Sequence, residues 1–593
     1  MNNLSEKKIV TLSANKTINI DNVKHAGLWS LKFGADPDQI FDFKDSSSIE
    51  VKNKKRKNDK FYKKIFKKIN FNFNNYHKIS LSYLESEILF GLFLRRSLSI
   101  IKNRWDIVNF FYKKNYKFFI NSGQNITFSF DTNFNNILRE KTFNDFIFHE
   151  ILKFLIKKKK IDKRKIIFKK IKKKKIVFLK NNLANFFFKF CYKYFTILKV
   201  IKTSIYISYL PIKYYENVIL NLKFKNFFFF FKQFFLREEF FLSNIEHNKK
   251  KRNIFFKNLG KCSEFETFFF EFLNKIFPNC YIEYFDKYLK LFKPIKRYPK
   301  FIVNSTEHNH NFFLRLYIVL SKKNNNAKLF SLQHGGHEFF RNISDEFYDN
   351  QIFSSDKYFN WCKRSYKNKN GLFFLLDKYK NLYFPKKNKK LIIFFGNHSY
   401  YCGSVNFDIF NYLSKKNYST IKKNTDILFS GLNKNKIFPS VRPFVFTESN
   451  YDYLDYIKNN FVIDKVFSRE NFKSLLKNTK IAVFLCDTTA FYQALYYNIP
   501  CVLIISREFL MKGFKFKKYY IQLHKFKYIF TSPDQAVNFI IKLNNNEEYL
   551  RSWWMSKKNI RFREYLRNNL IYNEEKRLVK LYKEFKNFDE KPN

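Results

Sequence analysis

The chain has 593 residues, of which 45% are hydrophobic and 21% aromatic, and this composition excludes an intrinsically disordered protein. Lysine and arginine outnumber aspartate and glutamate by 112 to 50, which gives a formal net charge of +62. Such a charge indicates drift of solvated positions to lysine in an AT-rich coding sequence, attraction to an anionic membrane or acidic polymer, or nucleic-acid binding. The seven cysteines include no C-x-x-C pair, which argues against a disulfide framework or a zinc ribbon and favours a reducing cytoplasm.

The first half of the chain predicts a short strand followed by a long helical region. An apolar run at residues 8–12 predicts the strand, and no signal-peptide h-region follows the first charges. From residue 61 to about 250 the pattern is mostly helical, and Ser82 with Glu85 predicts a capped helix start. Lysine clusters between residues 157 and 175 are interpreted as a solvated helix face or a basic arm. No apolar run reaches the roughly 18 residues that a membrane span requires.

From residue 281 the pattern changes to short apolar runs that alternate with helical stretches, which is typical of a parallel βαβ sheet. A helix is predicted over 311–322, and strands are predicted at 301–304, 328–332, 391–395, 426–429, 444–446, 481–486 and 501–505. The charged segment 385–390 is the best candidate for a domain boundary. The sequence therefore predicts an N-terminal α/β domain over 1–385, with a helical insertion at about 60–250, and a C-terminal α/β domain over 386–593.

The motif Gln333-His334-Gly335-Gly336 directly follows the predicted strand at 328–332, and it holds the only adjacent pair of glycines in the chain. Glycines allow a sharp turn and a close approach of the backbone to a ligand. Ligands of open α/β sheets bind beyond the carboxyl ends of the strands, where His334 stands. The motif predicts a substrate-binding loop, and the alternative is a structural turn with an incidental histidine.

A second motif lies between the predicted strands at 481–486 and 501–505. Asp487, Thr488 and Thr489 form a hydroxyl-rich turn before a short helix, and we expect Asp487 or Thr488 to cap that helix. The free N–H groups and the dipole of the helix start are suited to a diphosphate, and Gln493, one turn later, is suited to sugar hydroxyls. Arg442 could pair with a phosphate. The alternative is an ordinary capped βαβ unit without a ligand.

These motifs resemble those of the transferases encoded in O-antigen and other surface-polysaccharide gene clusters, which are distantly similar to CDP-glycerol glycerophosphotransferases and GT-B glycosyltransferases. The resemblance runs over most of the chain. Its segments are Asn75-Tyr76-His77 through Gly91, Arg104-Trp105-Asp106, Ser331 to Gly336, Ser355 to Trp361, residues 481–505 and Trp553-Trp554. The QHGG and Thr-Thr-Phe segments are the more specific ones.

The resemblance implies an α/β, GT-B-like fold in which two Rossmann-like domains face a cleft and the N-terminal domain carries the basic helical insertion. It implies a bacterial, cytoplasmic transferase, peripheral at most on the inner face of the cytoplasmic membrane. A glycosyl or glycerophosphoryl-type group would pass from a nucleotide-activated donor to a glycan or lipid-linked acceptor, such as O-antigen or lipopolysaccharide. Neither a metal, a cofactor nor a specific nucleic acid is implied.

The resemblance also assigns roles to individual residues. His334 is implied as the catalytic acceptor-side residue in a loop with Gln333, Gly335 and Gly336, while Asp487, Thr488, Thr489, Gln493 and Arg442 are assigned to the donor. The chain departs from the family pattern at Gln493, where GT-B enzymes often have glutamate, and at Asn350 and Gln351, where acidic residues and a histidine are usual. Two alternatives stay open: a nucleotide-sugar epimerase of the same fold and a non-enzymatic basic protein that binds nucleic acid or another polymer.

Overall fold

The computed structural model of the protein describes residues 8–12, 23–26, 48–121, 126, 128–130, 141–169, 205–207, 222, 238, 247–257, 262–293, 295, 298–305, 307–333, 346–361, 370–372, 389–395, 415–443, 448–468, 470–512, 516–571 and 583. Within these residues the fold is α/β, with three separate sheets and helices around them. The α/β class and the parallel sheets that the sequence predicts are confirmed.

The N-terminal part contains one sheet and several long helices. In chain order its elements are β1 (Ile9–Thr11), β2 (Val23–His25), α1 (Ser48–His77), α2 (Tyr83–Ser86), a π-helix (Glu87–Gly91), α3 (Leu92–Lys113), β3 (Lys117–Asn121), α4 (Lys141–Lys157), a 3-10 turn (Lys163–Lys165) and β4 (Ile166–Lys169). The predicted helix start at Ser82 is confirmed, because Ser82 and Glu85 form a capping box.

The middle part contains the second sheet. Its elements are β5 (Ile205–Ile207), α5 (Lys249–Phe255), α6 (Glu264–Ile276), α7 (Asn279–Ile282), α8 (Phe285–Phe292), β6 (Phe301–Asn304), a 3-10 helix (Glu307–His310), α9 (Phe312–Asn325), β7 (Lys328–Leu332), α10 (Glu346–Ser354), β8 (Lys357–Asn360) and β9 (Asn370–Leu372).

The C-terminal part contains the third sheet. Its elements are β10 (Lys390–Phe394), α11 (Lys415–Lys434), β11 (Ser440–Arg442), α12 (Glu448–Asn460), α13 (Phe472–Lys477), β12 (Thr479–Phe484), α14 (Thr489–Tyr496), β13 (Cys501–Ile504), α15 (Arg507–Lys512), α16 (Lys517–Lys525), β14 (Ile529–Phe530), α17 (Pro533–Asn545), α18 (Glu547–Trp554) and α19 (Lys557–Asn569).

All strand pairs of the three sheets are parallel, but the strand orders differ. The N-terminal sheet has the order β2-β1-β3-β4, the middle sheet β5-β6-β7-β8-β9, and the C-terminal sheet β11-β10-β12-β13-β14. The C-terminal order reverses between β10 and β12, as in doubly wound folds that bind nucleotides at such a reversal. The middle sheet has no reversal among its described strands, because each strand lies beside the next one in the chain.

The two faces of the middle sheet pack into two different apolar cores, and so do the two faces of the C-terminal sheet. This is expected for parallel strands that are covered on both faces. Phe301 and Val303 belong to a core that also contains Ile392 of the C-terminal sheet, whereas Ile302 packs into the large N-terminal core. Leu391, on the opposite face from Ile392, belongs to a third core formed with α11 and α17. The middle and C-terminal sheets therefore share one continuous core.

Several sequence predictions differ from the structure. The predicted strand at 426–429 is wrong, because these residues lie within helix α11, which buries Leu428 and Phe429 in an apolar core. The region from 60 to 250 contains the expected long helices, and it also contains β3, β4 and β5. The predicted strand at 8–12 is confirmed as β1, and with β2, β3 and β4 it makes a sheet beyond the two predicted Rossmann-like units. The strands β2, β3 and β4 have three to five residues and are too short for periodicity to reveal. The predicted strand at 444–446 lies outside the described residues. Among the described helices, none is both long enough and apolar enough to cross a bilayer.

The π-helix between α2 and α3 buries a carboxylate. Glu87 accepts hydrogen bonds from the Tyr62 hydroxyl at 2.7 Å and the Tyr83 hydroxyl at 3.3 Å, and it pairs with Arg95 at 3.0 Å. Burial raises the pKa of Glu87, while Arg95 opposes that shift. A β-carbon at Gly91 would lie 1.9 Å from Glu87 Oε2, so only glycine leaves room for this network.

We therefore expect Gly91→Ala to lower the free energy of unfolding by about 3 kcal/mol, because the methyl group displaces the carboxylate and disrupts a buried ion pair. Denaturant unfolding measures the change. The control is Asn109→Ala, which removes only a side-chain amide that donates to the Trp105 carbonyl within α3. Its free energy of unfolding should fall by less than that of Gly91→Ala. Equal stability of Gly91→Ala and the native chain would contradict the packing described for Glu87.

Candidate functional site

The C-terminal sheet places the hydroxyl-rich turn at its point of reversal. Phe394 of β10 and Phe484 of β12 are in register, so the carboxyl ends of these two strands lie side by side. The chain leaves β12 through residues 485–488 and enters α14 at Thr489. In open α/β sheets, ligands bind in the crevice at the point where the strand order reverses. The predicted donor-side motif thus stands where the fold offers a binding crevice.

The turn itself differs from the predicted cap. Thr488 is the N-cap residue with an extended backbone (φ −132°, ψ 163°), but its side chain makes no capping hydrogen bond. The buried Asp487 carboxylate accepts a hydrogen bond from the Tyr492 hydroxyl at 2.6 Å, and that hydroxyl lies 2.7 Å from the Tyr520 hydroxyl. The expectation that Thr488 caps the helix with its side chain is therefore wrong, and Asp487 lies one residue before the N-cap position. Burial and the Asp487 charge raise the pKa of Tyr492, so its hydroxyl stays a donor to the carboxylate.

The Thr488 side chain leaves the helix start without an N-cap hydrogen bond. The first N–H groups of α14 carry the positive end of the helix dipole. Thr488, Thr489 and Gln493 are each half-buried. Since Gln493 follows Thr489 by four residues, the two side chains lie on the same face of the helix.

Arg442 stands at the same edge of the sheet. It ends β11 and is in register with Phe394, the last residue of β10. Its guanidinium donates to the Glu470 carbonyl at 3.0 Å and lies 5.3 Å from the centre of the Phe472 ring. Burial lowers the pKa of Arg442 from its ordinary value, but a guanidinium remains charged at neutral pH. The topology thus brings a fixed cation to the same strand ends as the hydroxyl-rich turn.

At the carboxyl end of the middle sheet, Gln333 is held between two strands. Its backbone N–H donates to the Phe359 carbonyl at 2.8 Å, and its side-chain oxygen accepts from the Trp361 N–H at 3.0 Å. The side chain is fully buried, so Gln333 fixes where the chain leaves β7. The predicted residues His334, Gly335 and Gly336 lie outside the described residues.

A group of buried polar residues lies beside Gln333, and the sequence did not predict that these residues come together. Asn304 ends β6 and Ser305 follows it. His308 and Asn309 lie on the 3-10 helix that comes next, and Asn350 and Gln351 lie on α10. The Glu307-His308-Asn309-His310 segment offered a signal, since it contains metal-ligand types. Among the described residues, however, no three His, Cys, Asp or Glu side chains are grouped so as to hold a metal.

Comparison with known proteins gives the family. A sequence model described as LIC12162 family transferase matches residues 32–584. The chain belongs to this family. It is therefore a transferase, and the expectation of a transferase family is confirmed. No curated protein matches the chain.

Two solved structures are similar to this LIC12162 family transferase at low identity. The S. aureus MnaA–UDP co-structure is 10% identical, with 52% of this chain and 80% of that chain covered and a TM-score of 0.31. The spinosyn rhamnosyltransferase SpnG complexed with spinosyn aglycone is 8% identical, with 51% and 77% covered and a TM-score of 0.27.

His308 of the LIC12162 family transferase is a buried neutral imidazole. Its Nδ1 lies 2.6 Å from Asn304 Oδ1, and burial, with the nearby Arg315 charge, lowers its pKa to about 3. Because an amide oxygen can only accept, Nδ1 carries the proton and Nε2 presents a lone pair.

The lowered pKa predicts how stability depends on pH. Between pH 6.5 and pH 3 the unfolded chain protonates this histidine and the native chain does not, so native stability falls as the pH falls through that window. Relative to His308→Gln, we expect the native chain to lose about 2 kcal/mol more between pH 7 and pH 5. Denaturant unfolding of both proteins at the two pH values measures this difference. Parallel pH profiles would show that His308 is not buried in its neutral form.

Proposed function

We propose that the chain transfers a glycosyl or glycerophosphoryl-type group from a nucleotide-activated donor to a hydroxyl of a surface-polysaccharide acceptor. The observation that carries this proposal is the position of the uncapped, hydroxyl-rich start of α14 at the reversal of the C-terminal sheet. A nucleotide diphosphate is the kind of anion that helix starts at such positions bind.

On the donor side, the N–H groups of α14 and the hydroxyls of Thr488 and Thr489 would hold the diphosphate, and Arg442 would add positive charge. Negative charge develops on the departing phosphate in the transition state, so fixed donors and a cation there lower the barrier. Gln493 would hydrogen-bond the donor ribose. Asp487 would act through Tyr492, as a positioning residue that holds the turn in place.

On the acceptor side, His334 would take the proton of the attacking hydroxyl, since a general base must lie within hydrogen-bond reach of that proton. Gly335 and Gly336 would let the backbone approach the substrate closely. Gln333, fixed to β8 through Phe359 and Trp361, would set the direction in which this loop leaves the sheet.

Membership in a transferase family favours group transfer over the epimerase and over the non-enzymatic binding protein. The proposed partners are the nucleotide-activated donor and a glycan or lipid-linked acceptor, with the enzyme in the cytoplasm or peripheral on the inner membrane face. Neither a metal nor a cofactor is proposed, because Arg442 and the helix start supply positive charge to the diphosphate. No nucleic-acid partner is proposed.

Titration calorimetry with CDP, UDP, GDP and CMP tests the proposal. We expect one of these nucleotides to bind the full chain and to raise its thermal unfolding midpoint, because a ligand of the native state alone stabilises that state. The activated donors of the nucleotide that binds are then incubated with lipid-linked glycan acceptors. If none of the four nucleotides binds, the proposed function is wrong.

A further inference from the structure

A cluster of six buried side chains at the carboxyl end of the middle sheet, here called the amide cluster, holds polar atoms that have no hydrogen-bond partner among the described residues. All six side chains are shielded from solvent. The atoms are Asn304 Nδ2, His308 Nε2, Asn309 Nδ2, Ser331 Oγ, Asn350 Oδ1 and Gln351 Oε1. Each such atom destabilises the native state by about 1–3 kcal/mol unless something binds it.

Hydrogen bonds and strand register join these residues into one group. Asn304 and Ser331 are in register on β6 and β7 and therefore face the same side of the sheet. Asn304 Oδ1 contacts His308 Nδ1, and Asn350 Nδ2 donates to Asn309 Oδ1 at 3.3 Å.

Helix α10 is joined to the same strand ends through Ser305. Gln351 donates its side-chain N–H to the Ser305 carbonyl, and the Ser305 hydroxyl donates to the Leu332 carbonyl at 3.0 Å. The amide cluster is thus built from β6, β7, the 3-10 helix and α10, and it lies next to Gln333, the residue that precedes His334 in the chain.

The types of the six atoms indicate which ligand would satisfy them. Two amide N–H groups can only donate, and the His308 lone pair and the two amide oxygens can only accept, while the Ser331 hydroxyl can do either. An anion would use only the donors and a cation only the acceptors, whereas hydroxyl groups donate and accept. The nearby Arg315 is already engaged with the carbonyls of Leu89 and His308 and with the Tyr281 hydroxyl.

We propose that the amide cluster binds an uncharged group that carries several hydroxyls, such as a sugar residue. In naming this group as the acceptor sugar, the inference rests on the proposed function. His308 and the amide oxygens accept hydrogen bonds from the sugar hydroxyls, and Asn304 and Asn309 donate to them. Because the six atoms are shielded in this structure, binding requires α10 to shift away from the strand ends.

Two variants of the full chain test the inference. Ser331→Ala removes a hydroxyl that has no hydrogen-bond partner among the described residues. Its matched control is Ser321→Ala, which removes a buried hydroxyl that donates to the Tyr317 carbonyl on α9. Asn309→Leu with Asn350→Leu removes both members of a bonded pair and replaces them with apolar side chains of the same branching. Saturation-transfer NMR with glucose, galactose, N-acetylglucosamine and glycerol reports binding, and inorganic phosphate is the anionic control.

We expect at least one of the three sugars to give a saturation-transfer signal with the native chain and with Ser321→Ala. The signal should weaken in Ser331→Ala and fall to background in the double variant, without a fall in the unfolding midpoint. Sugar binding that is unchanged in both cluster variants, absent from the native chain, or weaker than phosphate binding would overturn the inference. So would a lowered unfolding midpoint without loss of sugar binding, since the cluster would then hold only structural water.

Nucleotide calorimetry on the same proteins separates this inference from the proposed function. Nucleotide binding that is equal in the native chain and both cluster variants, together with loss of sugar binding in those variants, supports both. Nucleotide binding without any sugar binding would refute only the proposal that the amide cluster binds a sugar. Sugar binding that depends on the cluster, without nucleotide binding, would keep the cluster as a sugar site and refute its assignment to the acceptor.

Discussion

His334→Ala is expected to reduce the rate of transfer by about 10²- to 10⁴-fold, the usual contribution of a positioned general base. The nucleotide affinity should not change, because the proposed donor site lies on the C-terminal sheet. The rate is measured as release of the nucleotide from its activated donor in the presence of acceptor. The loss should appear in kcat and in kcat/KM together, since the lost interaction belongs to the transition state.

His337→Ala is the matched control, because it places the same substitution three residues later in the same segment. A small effect of His337→Ala beside a large effect of His334→Ala assigns the proton transfer to His334. Similar losses in both variants would indicate that the segment as a whole, and not His334, is required. Near-native turnover of His334→Ala would remove it from the proposed mechanism.

Much of the C-terminal fold could be predicted from the sequence because its signals are local. The apolar runs of β12 and β13 are continuous, and the helix between them is short, so pattern alone located the turn at Asp487. The direction of the Asp487 side chain could not be predicted. It depends on Tyr492 one turn into α14 and on Tyr520 on α16, which meet only in the folded chain.

The contrast between local signals and contacts made only in the folded chain also explains where the sequence predictions were wrong. Ile427, Leu428 and Phe429 form an apolar run that reads as a strand, and only its place within a 20-residue helix shows otherwise. The amide cluster escaped detection for a different reason. Its members come from four elements spread over nearly fifty residues, and asparagine, glutamine and serine have no sequence signature for binding. The register of β6 with β7 brings Asn304 and Ser331 together.

The second large effect is expected at the donor site, where Thr488→Val with Thr489→Val should weaken nucleotide binding by about 1–3 kcal/mol. This corresponds to a rise of about 5- to 150-fold in Kd, which calorimetry with the nucleotide that binds would measure. Valine keeps the shape of threonine and removes only the hydroxyl. The Thr488 hydroxyl makes no capping bond in the free protein, so its loss should change the stability of α14 little.

Thr531→Val is the matched control for this pair. Thr531 follows β14, so it lies at the same carboxyl edge of the sheet but at the far strand from the reversal between β10 and β12. If nucleotide binds at the reversal, the Thr531 variant binds like the native chain and the Thr488–Thr489 variant does not. Equal affinities of all three proteins would mean that the start of α14 does not hold the diphosphate. The charge of Arg442 would then have no bound phosphate to stabilise, and the proposed donor site would have to be placed elsewhere in the fold.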